Sequence, residues 1–296
     1  MNVNSLSSSV ATTSCRLDDD TVARIALACA GVSGDPTVAI GIDILGGPVA
    51  FLAAVHDGRD RPVALSHLVR QRIRALASAN HVADVLSSMR CNGGRVLTPR
   101  DVQWPSQISA LGRSAPLALF AQGDMEALGL PSVAITGTAD PTAHAIHMAI
   151  ELATGLADRR WVIASGMTQG VDQLSLCAAT AMRGRTITVA AEMQRGTEVM
   201  DGSVGISESP PTNAVTVRGQ RRAKHLLAAI ATKTIVIEAS EPSGAVLTAE
   251  AAITMNRPVG IVAQTSMKKT AAESIDLHLR HSMVRIASVH DVDRLR

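Results

Sequence analysis

The chain has 296 residues, a formal net charge of +2, 46% apolar and 18% charged side chains. That length and apolar share suit one large α/β unit with a smaller companion, and the near-neutral balance excludes a polyelectrolyte surface, so any nucleic-acid affinity must come from a local patch. With no Tyr, and only Phe51, Phe120, Trp104 and Trp161 as large aromatics, base stacking on an aromatic platform is nearly excluded too.

Cys15, Cys29, Cys91 and Cys177 are scattered, with no C-x-x-C pair and no histidine spaced to complete a metal set. They read as reduced thiols, so no metal and no cofactor are expected. No apolar run reaches membrane-spanning length, and the Asn/Ser/Thr-rich start lacks a signal-peptide pattern; a cytoplasmic protein is expected. Residues 1–17 are expected to be a disordered tail.

Helical periodicity begins at Asp18, with Thr21 as the cap and Val22, Ile25, Leu27 and Ala28 on one face up to Gly31. Further helices are predicted over Thr37–Leu45, Pro48–Val55, Leu65–Ala79 and His81–Met89. Together they make a small all-helical, SAM-like domain over residues 18–91. Its Arg70, Arg72 and Arg74 read as a solvated face. Residues 92–131, broken by Gly93-Gly94, Pro99, Pro105 and Pro116, are expected to be an irregular linker.

From Ser132 the pattern alternates. Strands are predicted at Val133–Thr136, Trp161–Ser165, Thr186–Ala191, Thr234–Glu238 and Val259–Ala263, and helices at Thr142–Ala157, Val171–Met182, Arg221–Ala231 and Ala245–Met255. Strand, helix, strand at this spacing implies right-handed crossovers and a doubly wound parallel sheet over residues 132–296, with its site at the carboxyl ends of the strands.

Three junctions fall on that edge. The first includes Gly137 and Thr138, with Asp140 as the expected cap and Pro141 at the first helical position. The second contains Ser165, Gly166, Thr168, Gly170 and Asp172. The third contains Glu238, Ser243, Gly244 and Thr248. Glycines allow close backbone approach, and a helix N-terminus offers N–H groups and a positive dipole end, so three such junctions on one edge form an anion-binding crevice. Arg218, Arg221, Arg222, Lys224 and His225 are the densest basic cluster and sit where a helix starts. Positive charge is unfavourable there, so the cluster calls for an anionic partner. Asp172, Glu192, Glu208 and Glu238 are the carboxylates near the edge. No Ser-His-Asp or Cys-His spacing accompanies them, so a binding protein is expected in preference to an enzyme.

The stretches SGMTQGVD (165–172), ISESPP (206–211), IVIEASEPSGAVLTAEAA (235–252) and NRPVGIVA (256–263) resemble the DNA-processing protein A (DprA/Smf) family. IALACAGVSGDP, RVLTPRDVQWPSQISAL and APLALFAQGD upstream look like its helical domain and connector. The resemblance implies a Rossmann-like protein that binds single-stranded DNA, forms homodimers and loads a RecA-type recombinase. Ser165, Gly166, Gly170 and Asp172 match the family's first loop, and Ser243, Gly244 and Thr248 its last. The family's arginine-asparagine-arginine falls on Ala223, Lys224 and His225, with Arg218, Arg221 and Arg222 just upstream as substitutes. The expected ligand is therefore single-stranded DNA held by its phosphate backbone without base-specific readout. A nucleotide-derivative sensor or hydrolase on the same fold is the alternative.

Overall fold

The computed structural model describes residues 17–193, 200–211, 215–239, 243–262 and 283–295. The expected tail, apart from Leu17, and Ala263 lie outside these residues.

Among the described residues, five helices come first: α1 (Asp19–Cys29), α2 (Pro36–Leu45), α3 (Pro48–Asp57), α4 (His67–Leu76) and α5 (Ala79–Cys91). The first is capped by Asp18 and not by Thr21. The Asp18 carboxylate accepts from the Thr21 amide at 2.8 Å, a contact that holds its pKa down. Asp35 caps α2 in the same way, with Pro36 at its first position. Ile25, Leu27, Phe51, Leu52, Ile73 and Val82 form the core of this unit, and Phe120 from the sheet joins it. Of the three arginines read as solvated, only Arg74 is exposed; Arg70 pairs with Asp60 at 2.7 Å.

Nine strands among the described residues follow in one sheet. They are β1 (Gly94–Leu97), β2 (Leu119–Gly123), β3 (Ser132–Gly137), β4 (Val162–Ser165), β5 (Thr186–Val189), β6 (Ser203–Ser207), β7 (Lys233–Ile237), β8 (Val259–Val262) and β9 (Met283–Ile286). The helices between them are α6 (Ala143–Asp158), α7 (Val171–Ala181), α8 (Val217–Ile230), α9 (Gly244–Thr254) and α10 (Val289–Asp293). Strand order is β1-β2-β6-β5-β4-β3-β7-β8-β9. From β6 to β9 all pairs are parallel, while β1–β2 and β2–β6 are antiparallel.

This is the Rossmann-like doubly wound sheet expected from the alternation. The stretch read as an irregular linker departs from expectation, because it supplies β1 and β2. Runs of four and five residues between glycines and prolines are too short for periodicity to separate strand from loop. The same holds for β6, which no sequence pattern marked.

Alternate residues of the strands face two separate cores. Val133, Ile135, Ile163, Ile235 and Ile237 pack against α6, α7 and α10. Ala134, Val162, Ala164, Ile187 and Val204 pack against α8, and Val236 and Val259 against α8 and α9. The carboxyl end of α8 is tied down by Arg257, which donates to the carbonyls of Ala228, Ala229 and Ala231 and, at 2.7 Å, to that of Gln107. These helix-end carbonyls have no partner inside their own helix, and the guanidinium supplies one. No single helix among the described residues is long and apolar enough to cross a membrane.

Candidate functional site

A cleft of about 1180 Å³ opens at the carboxyl edge of the parallel strands. Its floor is the end of β5, from Val189 to Glu192, and the loop after β4, at Met167 and Thr168. One wall is the start of α8, with Val217, Gln220, Arg221 and Lys224; the other is α9, with Ser243, Gly244, Val246, Leu247 and Glu250. Helix α8 starts at Val217, four residues before the expected Arg221, because the Thr216 hydroxyl accepts from the Gly219 amide at 3.0 Å and caps it. The cations therefore occupy its first turns and not a loop in front of it.

Lys224 reaches from the α8 wall to the loop after β4 and the start of α7. Its Nζ is 3.3 Å from Asp172 Oδ2 and 3.3 Å from Thr168 Oγ1. Asp172 is buried and also accepts from the Thr136 hydroxyl at 2.9 Å. Two glycines make room for this contact. A Cβ on Gly166 would lie 2.4 Å from Asp172 Oδ2 and 3.0 Å from Lys224 Nζ, and one on Gly244 would lie 2.6 Å from Lys224 Cε. Both glycines thus accommodate a side chain of the protein itself.

Other loop residues are turned inward. The Ser165 hydroxyl donates to the Ile135 carbonyl at 2.5 Å, and that of Thr248 to the Gly244 carbonyl at 2.9 Å; both residues are fully buried. Ser243 caps α9 by accepting from the Ala245 amide at 3.1 Å, and it lines the cleft.

The first junction lies behind the cleft and lines none of it. A Cβ on Gly137 would meet the Ile237 carbonyl at 2.0 Å, and one on Gly170, whose φ is +81°, would meet the Thr138 carbonyl at 2.4 Å. The Thr138 amide donates to the Glu238 carbonyl at 2.7 Å. The Glu238 carboxylate accepts from the amide and hydroxyl of Thr142, at 3.0 and 2.8 Å. Thr142, and not Asp140, caps α6, and Glu238 braces that cap from the end of β7. These contacts weld three loops together.

The basic cluster is divided. Arg222 points away from the cleft: its guanidinium grips both carboxylate oxygens of Glu208 and donates to the carbonyls of Ser114, at 2.6 Å, and Gly34, at 3.3 Å. Arg218 faces Asp35 at 3.4 Å. Burial pushes the Glu208 carboxyl above its usual pKa, with Arg222 opposing. His225 is half-buried, and burial, reinforced by Arg222 and Arg221, holds its pKa below 6.5. Among the described residues Arg221 alone of the arginines lines the cleft; it is exposed and has no hydrogen bond or ion pair there.

Met167, Gln220, Val246, Leu247 and Glu250 belong to the cleft although the sequence singled out none of them as a site residue. Ser243, Leu247 and Glu250 recur at helical spacing, which would have placed them on one face of α9.

Residues 95–291 match the family model described as DNA recombination-mediator protein A. The chain belongs to this family. The putative DNA processing protein DprA of Mycobacterium tuberculosis is 29% identical over 277 residues, covering 83% of this chain and 67% of that protein. The DNA processing protein DprA of Bacillus subtilis is 27% identical over 213 residues, covering 66% and 71%. Among solved structures, DprA from Streptococcus pneumoniae superimposes with a TM-score of 0.72 at 19% identity, covering 91% of this chain and 95% of that one. DNA processing protein A from Helicobacter pylori, described for its single-stranded DNA binding mode, gives 0.58 at 21% identity, covering 68% and 98%. The family resemblance carried by SGMTQGVD and IVIEASEPSGAVLTAEAA is thus confirmed, and the two structures share the fold.

Proposed function

We propose that this family member binds single-stranded DNA in the cleft between α8 and α9 and acts in DNA recombination. The observation that supports this most is the placement of Arg221, an unpaired cation, on the wall facing the N-terminus of α9. The guanidinium and the Ser243 hydroxyl line the same cleft, beside the positive end of the α9 dipole, which suits a backbone phosphate. Lys224 adds positive potential from behind, although Asp172 neutralises much of it. Arg218 and Arg222 serve the contact with the helical domain instead, so the grip uses fewer cations than the basic cluster suggests. Asp172, Glu208 and Glu238 are each engaged in contacts that hold the fold, which favours binding without a chemical step. Loading of a RecA-type recombinase and homodimerisation complete the reading and rest on family membership.

The test is fluorescence anisotropy of a labelled single-stranded oligonucleotide against the same sequence as a duplex, over a salt series. Preferential binding of the single strand, weakened by Arg221→Ala, supports the reading; absence of binding at low salt overturns it. Arg221, the one cation of the cleft without an ion pair among the described residues, also suits one phosphate of a mononucleotide-derived ligand. Thermal stabilisation by a mononucleotide at concentrations where oligonucleotides have no effect would favour that second reading.

A further inference from the structure

The two walls of the cleft carry opposite charge. On α8 stands Arg221, and on α9 stands Glu250, which is partly buried and has no side-chain hydrogen bond or ion pair among the described residues. A wall that only held phosphates would not present an unpaired carboxylate, since like charges repel. The same walls carry Val217, Val246 and Leu247, aliphatic surface against which any base plane packs without preference. We infer that Glu250 orients each nucleotide in the cleft, phosphate toward α8 and base toward α9, and biases the site toward bases whose exposed edge carries an exocyclic amino group.

The chemistry is that of a carboxylate accepting from an amino hydrogen. Glu and Asp accept from the N4 amino group of cytosine, whereas thymine presents its O4 acceptor at the same place and repels the carboxylate. In a single strand that edge is free, because no complementary base occupies it. The sequence by itself argued for no base readout; the α9 wall supplies a reason for a modest one. This inference rests on the cleft being the DNA site.

The experiment measures anisotropy with oligo-dC and oligo-dT of equal length, at one salt concentration, for the wild type, Glu250→Ala and Glu250→Gln, with the melting temperature of each variant recorded. The wild type should bind oligo-dC roughly fivefold more tightly than oligo-dT, the lower end of what one base-edge contact gives. Either variant should bring the ratio close to one, chiefly by improving binding of oligo-dT. Equal wild-type affinities, or a ratio that survives both substitutions, overturn the inference while leaving the cleft as the DNA site. Failure of the wild type to bind either oligonucleotide overturns the DNA reading and this inference with it.

Discussion

Arg222 donates through Nε to one carboxylate oxygen of Glu208 at 2.9 Å and through Nη2 to the other at 2.8 Å. Their side chains are 13% and 6% exposed, so the pair is removed from water. Through the carbonyls of Gly34 and Ser114, the same guanidinium ties α8 to the helical domain and to the stretch that leads into β2.

Arg222→Ala should therefore act on stability more than on the ligand. Removing one partner leaves a buried carboxylate without compensation, a loss of about 3–5 kcal/mol, read from urea denaturation at neutral pH. Burial already raises the Glu208 pKa in the presence of Arg222, and without that arginine only the weaker pull of Arg218 opposes the rise. An acid whose folded pKa is raised costs stability as pH climbs from its unfolded value, 4.5, through the folded one. The destabilisation should consequently shrink when the measurement is repeated near pH 5.

Arg221→Ala should show the converse. Its side chain makes no hydrogen bond or ion pair among the described residues, so the unfolding free energy should stay within about 0.5 kcal/mol of the wild type. DNA affinity should fall, and the slope of log affinity against log salt should become shallower by about 0.7, the contribution of one phosphate contact on a single strand. Anisotropy titrations at four salt concentrations measure both.

His225 links stability to acid. Its folded pKa lies below 6.5, first through burial and then through Arg222 and Arg221. Between that lowered value and 6.5 the unfolded chain binds more protons than the folded one, so stability rises with pH across this window and is lost as pH falls through it. His225→Gln should flatten the melting-temperature profile below pH 6.5 and leave it unchanged above pH 7.5. An unaltered slope would assign the acid sensitivity to other groups.

Two glycines on the sheet should respond in opposite ways to alanine. At Gly137 the new Cβ would sit 2.0 Å from the Ile237 carbonyl, a backbone atom of the paired strand that has nowhere to go. At Gly205 in β6 nothing lies within 4 Å. Gly137→Ala should lose several kcal/mol or fail to yield folded protein, as overpacking against backbone does. Gly205→Ala should be neutral or stabilising by up to about 1 kcal/mol, as judged by thermal melts of both variants.

Much of the fold was legible before any coordinates. The alternation after Ser132 located β3, β4, β5, β7 and β8 and the helices between them, because a two-residue period and a 3.6-residue period leave different marks on a linear chain. The loop blocks around Gly166 and Ser243 carried the family. Both kinds of signal are local, and local steric and capping rules suffice to read them. Only the tertiary structure could assign the basic cluster. Arg221 and Arg222 are neighbours in the chain with the same side chain, yet on a helix one step turns the side chain by about 100°, so one faces the cleft and the other reaches a carbonyl 188 positions away. The glycines tell the same story. Gly166 and Gly244 permit close approach to the backbone, and the folded chain brings the Lys224 side chain to both. Composition and periodicity determine which segments become strands and helices; which charge remains unpaired at the edge they share depends on partners that only the folded chain brings within reach.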